Sequence, residues 1–386
     1  MKNKYLLALA VGHASSDMSF GVLAAMLPFL IAASGMKYAE AAGLTFALSF
    51  ASTSSQPIFG IISDKFSKTW VMPLGILIAG CGIALIGLFS DHYWLMFAAA
   101  MMSGIGVAAF HPEGGRMTNR LSGKKKGGAM SVFSVGGTLG VAAGPLLTAP
   151  AMVYLGLQGS VVLAIPGIIV CLLLFSLLPG MRGLVHTNEI EEKKADVTLG
   201  EQKNEWLKFF WICLAIAARS IMSHSMNTFL PLYWVNILHQ SKAAGGMVVS
   251  FMIFTGALIS LSSGFLADRF GINKIIRVAW LLLIPSVFFL TDITNPILAL
   301  MMLVPIAIGS FLLLPPLIVM GQKCVPKSLG LATGILLGLG GSVGGVVTPL
   351  VGNYADIHGL SAAFRLLAIL PVIGAVVAFM MKPGKK

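Results

Sequence analysis

Ionisable side chains lie inside several long apolar stretches of this sequence, where a charge is costly unless it is paired or hydrated. Asp17 lies about twelve residues into the first apolar stretch, and an unpaired carboxylate at that depth tends to hold its proton. Asp17 is therefore a candidate proton-binding group. The alternative is a static hydrogen bond from Asp17 to another helix.

A second group of ionisable residues lies in the segment 109–116, which reads AFHPEGGR. The imidazole of His111 and the carboxylate of Glu113 can both exchange protons when their surroundings change. We therefore predict that both residues act with Asp17 in proton coupling. The alternative is that Glu113 and Arg116, spaced i and i+3 on a helix, form a local salt bridge with no further role.

Arg219 lies at a similar depth in an apolar stretch of the other half of the chain. A guanidinium group does not readily lose its proton, so it needs a carboxylate partner or an anionic substrate. We predict that Arg219 binds substrate, and the other candidate substrate contacts are His13, His224 and Asn227. For the two histidines, the alternatives are that they extend a proton path or that they have an ordinary packing role.

The elements that carry these residues are predicted to be membrane-spanning helices. Of the 386 residues, 57% are hydrophobic and only 10% are charged, whereas soluble domains have roughly 25% charged residues. The apolar runs are long and unbroken, and a helix needs about 20 apolar residues to cross a bilayer. The sequence therefore predicts an all-α membrane protein with about twelve transmembrane helices.

The charged residues indicate how the chain is divided and oriented. The longest polar stretch predicts a cytoplasmic linker at 181–206, between an N-terminal six-helix bundle at 1–180 and a C-terminal six-helix bundle at 207–386. Lys and Arg concentrate at both termini and in alternate breaks between the apolar runs, which predicts cytoplasmic termini for a multi-pass protein of the bacterial inner membrane. This distribution, rather than nucleic-acid binding, accounts for the net charge of +12.

The two halves read as repeats related by a constant spacing of 204 residues, which takes Gly60 to Gly264 and Asp64 to Asp268. The same spacing relates residues of two later helix pairs, namely Pro112 to Pro316, Gly136 to Gly340, Gly140 to Gly344 and Pro145 to Pro349, so the matches span three helix pairs in all. Small residues spaced four apart let helices approach closely, and a proline such as Pro145 is expected to bend or end its helix. The residues predicted to mediate helix packing are Gly136, Gly140, Gly144, Pro145, Gly340, Gly344 and Pro349.

Two segments carry a resemblance to a known family. The segments 60–68, GIISDKFSK, and 264–274, GFLADRFGINK, resemble the signature loop of the major facilitator superfamily. The resemblance implies the major facilitator fold, two pseudo-symmetric six-helix bundles, and a monomer. A carboxylate at a helix end can pair with a cation or a helix N-terminus and so latch the cytoplasmic side. The residues predicted to take part in such gating are Asp64, Lys65, Asp268, Arg269 and Arg116.

The segments 109–116 and 12–17, GHASSD, resemble the fosmidomycin-resistance branch of this superfamily, whose members are proton-driven exporters. This resemblance implies a proton-coupled antiporter that exports a small drug-like or anionic molecule such as fosmidomycin. One alternative is a proton-coupled symporter that imports an organic anion or a sugar. Another is an uncoupled facilitator, which an absence of any pH-gradient effect would favour.

Other kinds of chemistry are not indicated. The sequence contains no phosphate-binding G-x-x-x-x-G-K-[ST] loop, no nucleophile elbow and no metal-ligand spacing, so we expect no enzyme activity, no cofactor and no metal. The expected partners are a small-molecule substrate, protons and the lipid bilayer.

Overall fold

Helices make up nearly all of the chain that the computed structural model describes, which is residues 2–66, 69–122, 126–192, 204–325 and 329–380. The first half contains α1 (Lys2–Ser34), α2 (Tyr38–Phe66), α3 (Val71–Leu88), α4 (Tyr93–Ser122), α5 (Lys126–Leu155), a 3₁₀ helix (Gly156–Ala164) and α6 (Ile165–Glu192). The second half contains α7 (Trp206–Asn236), α8 (Lys242–Phe270), α9 (Ile272–Leu290), α10 (Pro296–Cys324), α11 (Leu329–His358), α12 (Leu360–Leu367) and α13 (Ile369–Met380). Within the described ranges no strand occurs, so the predicted all-α class is confirmed.

Nine stretches of the described chain are long and apolar enough to cross a membrane. One of them, Gly128–Leu184, joins α5, the 3₁₀ helix and α6. The length and composition of these stretches support a multi-pass membrane protein.

The helices group into two units. Unit 1 comprises residues 1–36 and 43–197, and unit 2 comprises residues 37–42 and 198–386. The short segment 37–42 belongs to unit 2 because the backbone N–H groups of Tyr38 and Ala39 donate to the carboxylate of Asp356 at 2.8 and 3.0 Å. These N–H groups begin α2 and have no acceptor within their own helix, so a carboxylate at this end is favourable.

The predicted linker is partly helical. We expected a solvated connection from residue 181, but α6 continues to Glu192, and residues 193–203 lie outside the described chain. The continuation has a packing reason, because Met181 is buried in an apolar cluster that also contains Tyr5 and Leu178. Burial of these side chains against α1 favours extending the helix beyond the apolar stretch.

Close packing of α5 against α1 organises unit 1. An ideal Cβ atom at Gly136 would lie 2.3 Å from the carbonyl oxygen of Ala10, and one at Gly140 would lie 2.0 Å from that of Ala14. Any side chain at these two positions would push the helices apart. The glycines at four-residue spacing therefore let the backbones of α1 and α5 touch.

Pro145 does not end its helix, which was one of the two effects expected of this proline. The α5 helix runs through Pro145 and on to Leu155. Proline removes the N–H that would bond the carbonyl of Val141. That carbonyl oxygen is covered by Gly21 of α1, whose ideal Cβ would lie only 1.9 Å away. Packing by a neighbouring helix is the usual way in which an interior proline is tolerated in a membrane helix.

The α11 helix packs on α7 in unit 2 in a similar manner. An ideal Cβ atom at Gly344 would lie 2.3 Å from the carbonyl oxygen of Ser220 and 2.4 Å from Nδ1 of His224. The hydroxyl of Ser220 donates to the carbonyl of Gly340 at 2.9 Å and accepts from the backbone N–H of Gly344 at 3.0 Å. This hydroxyl therefore ties the two helices together at the point of closest approach.

Candidate functional site

A cluster of three ionisable side chains lies inside unit 1, where α1 meets α4. His13 and Asp17 are four residues apart on α1 and share one face of the helix. The Nε2 atom of His13 lies 3.1 Å from Oδ2 of Asp17 and 3.1 Å from Nε2 of His111. The Nε2 atom of His111 lies 3.2 Å from Oδ1 of Asp17. We call these three residues the triad, and they bring together Asp17 and His111, two of the predicted proton-coupling residues.

Backbone carbonyl groups orient both imidazole rings of the triad. Nδ1 of His13 donates to the carbonyl oxygen of Phe133 on α5 at 2.7 Å, and Nδ1 of His111 donates to that of Val107 at 2.9 Å. A carbonyl oxygen can only accept, so each Nδ1 atom carries a hydrogen. Both Nε2 atoms are therefore the ones directed at each other and at Asp17.

Aromatic rings and a glycine enclose the triad. The ring of Phe133 stacks on His13 with a centroid distance of 4.2 Å, and the Phe110 ring centroid lies 6.0 Å away. An ideal Cβ atom at Gly137 would lie 2.6 Å from Nε2 of His13 and 2.7 Å from Oδ2 of Asp17. Only a residue without a side chain leaves these atoms in place, so Gly137 is a positioning residue, a role that its sequence pattern alone did not indicate.

The triad is largely withdrawn from solvent, and one of its acceptors is unused. The exposed fractions of the side chains are 10% for His13, 17% for Asp17 and 24% for His111, so His111 is the most accessible member. Oδ1 of Asp17 is buried and accepts no hydrogen bond, because its contact with His111 has the distance of an ion pair without hydrogen-bond geometry. The ring nitrogens and carboxylate oxygen through which the three side chains meet all lie within 4.8 Å of one another.

Glu113, the third predicted proton-coupling residue, belongs to a different cluster. Its carboxylate accepts from Nε of Arg116 at 2.9 Å and from Nη2 at 2.7 Å, and it also accepts from the hydroxyl of Ser63 on α2. Residues 111 and 113 are two positions apart, so they point to different sides of α4. The geometry of this buried pair favours the local salt bridge that was the alternative for Glu113.

Arg219 is a buried cation of unit 2. The residue is 8% exposed, and its Nε atom donates to the carbonyl oxygen of Ser310 on α10 at 2.9 Å. Among the side chains that the structure describes in unit 2, the carboxylates of Glu205 and Asp292 pair with Lys208 and Arg365 instead. A buried guanidinium that donates from Nε to a carbonyl can bind an anion through its remaining N–H groups.

Two further predicted substrate contacts lie on the same helix as Arg219. His224 donates from Nδ1 to the carbonyl of Ser220 at 3.1 Å, which directs its Nε2 atom away from its own helix backbone. The side-chain oxygen of Asn227 is buried and has no hydrogen-bond partner among the described residues. A buried acceptor without a partner is costly, so Asn227 is available to a donor on a ligand.

The predicted gating residues are only partly described. The side chains of Asp64, Lys65 and Asp268 lie outside the described set. Arg269 is exposed, with its guanidinium carbon 5.3 Å from the centroid of the Phe270 ring. The gating role therefore stays a prediction for these four residues and for Arg116.

Apolar helices of membrane-spanning length, with ionisable side chains buried in both units, define a multi-pass membrane protein of the transporter class. Residues 9–349 match the family model described as the Major Facilitator Superfamily. The chain belongs to this superfamily, as its two signature segments predicted.

Relatives and solved structures agree with this assignment. The chain is 28% identical to the uncharacterized MFS-type transporter YfnC of Bacillus subtilis (strain 168), over 99% of this chain and 93% of the relative. It is 23% identical to the fosmidomycin resistance protein of Escherichia coli (strain K12), over 97% and 91% of the two chains. It shares the fold of a bacterial homolog to the human lysosomal transporter Spinster, crystallised in an inward-facing and occupied conformation, with a TM-score of 0.80, 16% identity and coverage of 98% and 96%.

Proposed function

We propose that this transporter is a proton-coupled antiporter that exports a small drug-like or anionic molecule, with fosmidomycin as the first compound to test. The triad carries the proposal, because two imidazoles and a carboxylate in contact form a group that can gain and lose a proton. The similarity to a fosmidomycin resistance protein supports the direction of transport and the choice of compound.

The proton site consists of Asp17 and His111, with His13 as its third member rather than as a substrate contact. Glu113 is held by Arg116 and Ser63, so in this proposal it stabilises unit 1 and does not carry the proton. Binding or release of a proton by the triad changes the charge inside unit 1. A change of charge that favours one conformation over another is the differential interaction that coupling requires.

The substrate site includes Arg219, which attracts the anionic group, and Asn227 and His224, which lie further along α7. The supporting observations are the burial of Arg219 and the unused oxygen of Asn227. The symporter remains the second candidate function, because it could use the same residues. The two are separated by the direction in which protons move relative to substrate.

The decisive experiment uses purified protein in liposomes with a trapped pH-sensitive dye. Fosmidomycin, a panel of organic anions and a panel of lipophilic drugs are added under an imposed pH gradient. We expect protons to move against the substrate flow. Proton movement in the direction of the substrate would establish the symporter, and substrate flow that ignores the pH gradient would establish a facilitator.

Asp17→Asn is the matching variant, because asparagine keeps the shape of the side chain and removes its charge. We expect the pH-driven transport rate to fall about 100-fold, since a charge-assisted hydrogen bond in a buried site contributes about 1.5 to 3 kcal/mol. Asp91→Asn, an exposed acid between α3 and α4, is the control and should behave as the parent protein. Proton coupling that survives Asp17→Asn would remove the triad from this role.

A further inference from the structure

The hydrogen-bond pattern of the triad fixes how many protons it can hold. Both Nδ1 atoms carry a hydrogen, because each donates to a backbone carbonyl. In a neutral imidazole the other nitrogen is then a bare acceptor. If both rings were neutral, the Nε2 lone pairs of His13 and His111 would face each other at 3.1 Å, beside a carboxylate that also only accepts.

Such a group of acceptors is unfavourable in a buried site, because no donor satisfies them and the net charge is negative. One added proton resolves the conflict. It converts one ring to an imidazolium, provides an N–H between the two Nε2 atoms, and neutralises the carboxylate of Asp17. A second proton would place two N–H groups head to head at 3.1 Å and leave a net positive charge.

Among the described residues, the parts of α4 and α5 beside the triad supply no further unpaired charge to it. From α5 the groups facing it are the ring and carbonyl of Phe133 and the backbone of Gly137. On α4 the ionisable neighbours of His111 are Glu113 and Arg116, which pair with each other. The charge balance of the site therefore depends on the two rings and Asp17 themselves.

We infer that the triad holds a single proton shared between Nε2 of His13 and Nε2 of His111, with the carboxylate of Asp17 as the counter-ion. This inference rests on the proposed proton coupling and states which atoms carry the proton and how many protons move. On unloading, an N–H bond of the imidazolium breaks, the electron pair stays on Nε2, and the proton passes to water. The triad then changes from neutral to a single negative charge.

The proton enters and leaves through His111 in this arrangement, because its side chain is 24% exposed and that of His13 is 10% exposed. His13 then acts as the inner partner, which holds the proton while the outer ring exchanges with water. One proton is expected for each transport cycle.

Nitrogen-15 NMR of histidine-labelled protein in nanodiscs tests the inference without transport. We expect His13 and His111, identified by substitution, to keep hydrogen on Nδ1 across the titration and to take up one proton as a coupled pair. A chelator in every buffer removes metal ions as a competing occupant. Two independent titrations, or a neutral ring with its hydrogen on Nε2, would overturn the shared proton even if transport proves to be proton-coupled.

The variants His13→Asn and His111→Asn test the same inference in liposomes, because the asparagine amide can still donate to a carbonyl but cannot hold the shared proton. We expect each single variant to reduce pH-driven transport at least tenfold, and the double variant to be no worse than either single one. Independent sites would instead give multiplying losses. His92→Asn, an exposed position before α4, is the control, and exchange of substrate for substrate without a pH gradient shows that each variant is folded.

The outcomes separate the two proposals. If the parent protein moves no protons with substrate, the proposed function fails while the NMR result can still stand. If the parent is coupled but the two single variants keep their transport, the proton lies elsewhere and the inference fails alone.

Discussion

The contact between α1 and α5 in unit 1 and the contact between α7 and α11 in unit 2 are built alike but carry different chemistry. Gly140 lies against the carbonyl of Ala14, and Gly344, its counterpart at a spacing of 204 residues, lies against the carbonyl of Ser220. His13 immediately precedes Ala14 in the sequence, and Arg219 immediately precedes Ser220. The residue that precedes the carbonyl in contact with the glycine is therefore a histidine in unit 1 and an arginine in unit 2.

The partners of these two side chains differ as well. His13 is in contact with a carboxylate and a second imidazole, all of which can change protonation. Arg219 donates a hydrogen bond to a backbone carbonyl, and its own charge is permanent at physiological pH. In the proposed function, the duplicated backbone contact positions the proton site in one repeat and the anion site in the other.

This difference has a functional reason if the protein exchanges protons for an anionic substrate. A site for a proton must be able to discharge, whereas a site for an anion must stay charged while the proton site cycles. The two requirements cannot be met by the same side chain, and the two repeats offer separate positions for them.

The largest effect is expected from removing the buried charge of Arg219 in unit 2. Arg219→Gln should weaken binding of an anionic substrate about 100-fold, because two charge-assisted hydrogen bonds of about 1.5 kcal/mol each are lost. Arg219→Lys keeps the charge but not the planar donor pair, so its loss should be smaller. Calorimetry of the purified protein with each organic anion measures both. Unchanged affinity in Arg219→Gln would mean that the anion site is elsewhere.

A smaller effect is expected from adding a side chain at the glycine that packs against each site. In Gly137→Ala the new methyl group would meet Nε2 of His13 and Oδ2 of Asp17, so we expect about a tenfold loss of pH-driven transport with substrate binding retained. In Gly344→Ala it would meet the backbone of Ser220 and the ring of His224, so we expect reduced thermal stability and weaker anion binding. Transport assays and thermal unfolding separate the two results.

Gly128→Ala provides the matched control for both glycine variants, because an ideal Cβ atom there has no neighbour within 4 Å. It should behave as the parent protein. If Gly137→Ala and Gly344→Ala had the same effects, the chemical difference between the two helix contacts would lose its support.

Much of this comparison could be predicted from the sequence, because it depends on local patterns. Apolar runs predict the helices, and the constant spacing of 204 residues by itself relates Gly140 to Gly344. The spacing of His13 and Asp17, four residues apart, also placed them on one face of a helix. That signal could have moved His13 from the substrate contacts to the proton site.

The rest depends on which side of one helix faces another, which a single sequence does not contain. His111 and Glu113 are close in sequence, and both were predicted to act with Asp17. Their side chains point to different sides of α4, toward α1 in one case and toward Ser63 of α2 in the other. The continuation of α6 past residue 180 was missed for a similar reason, because Met181 lies within a buried cluster.

The smallest effect on transport is expected from Glu113→Gln, which distinguishes a structural acid from the coupling acid of the same unit. Glu113 is 2% exposed and pairs with Arg116, so loss of its charge leaves a largely buried cation without this partner and should destabilise unit 1 by about 3 to 5 kcal/mol. Thermal unfolding should show this loss, while the pH at which transport is half-maximal should stay that of the parent protein. A shift of that pH would place Glu113 in the proton path beside the triad. The two faces of α4 would then not have separate roles, one in proton coupling and one in stability.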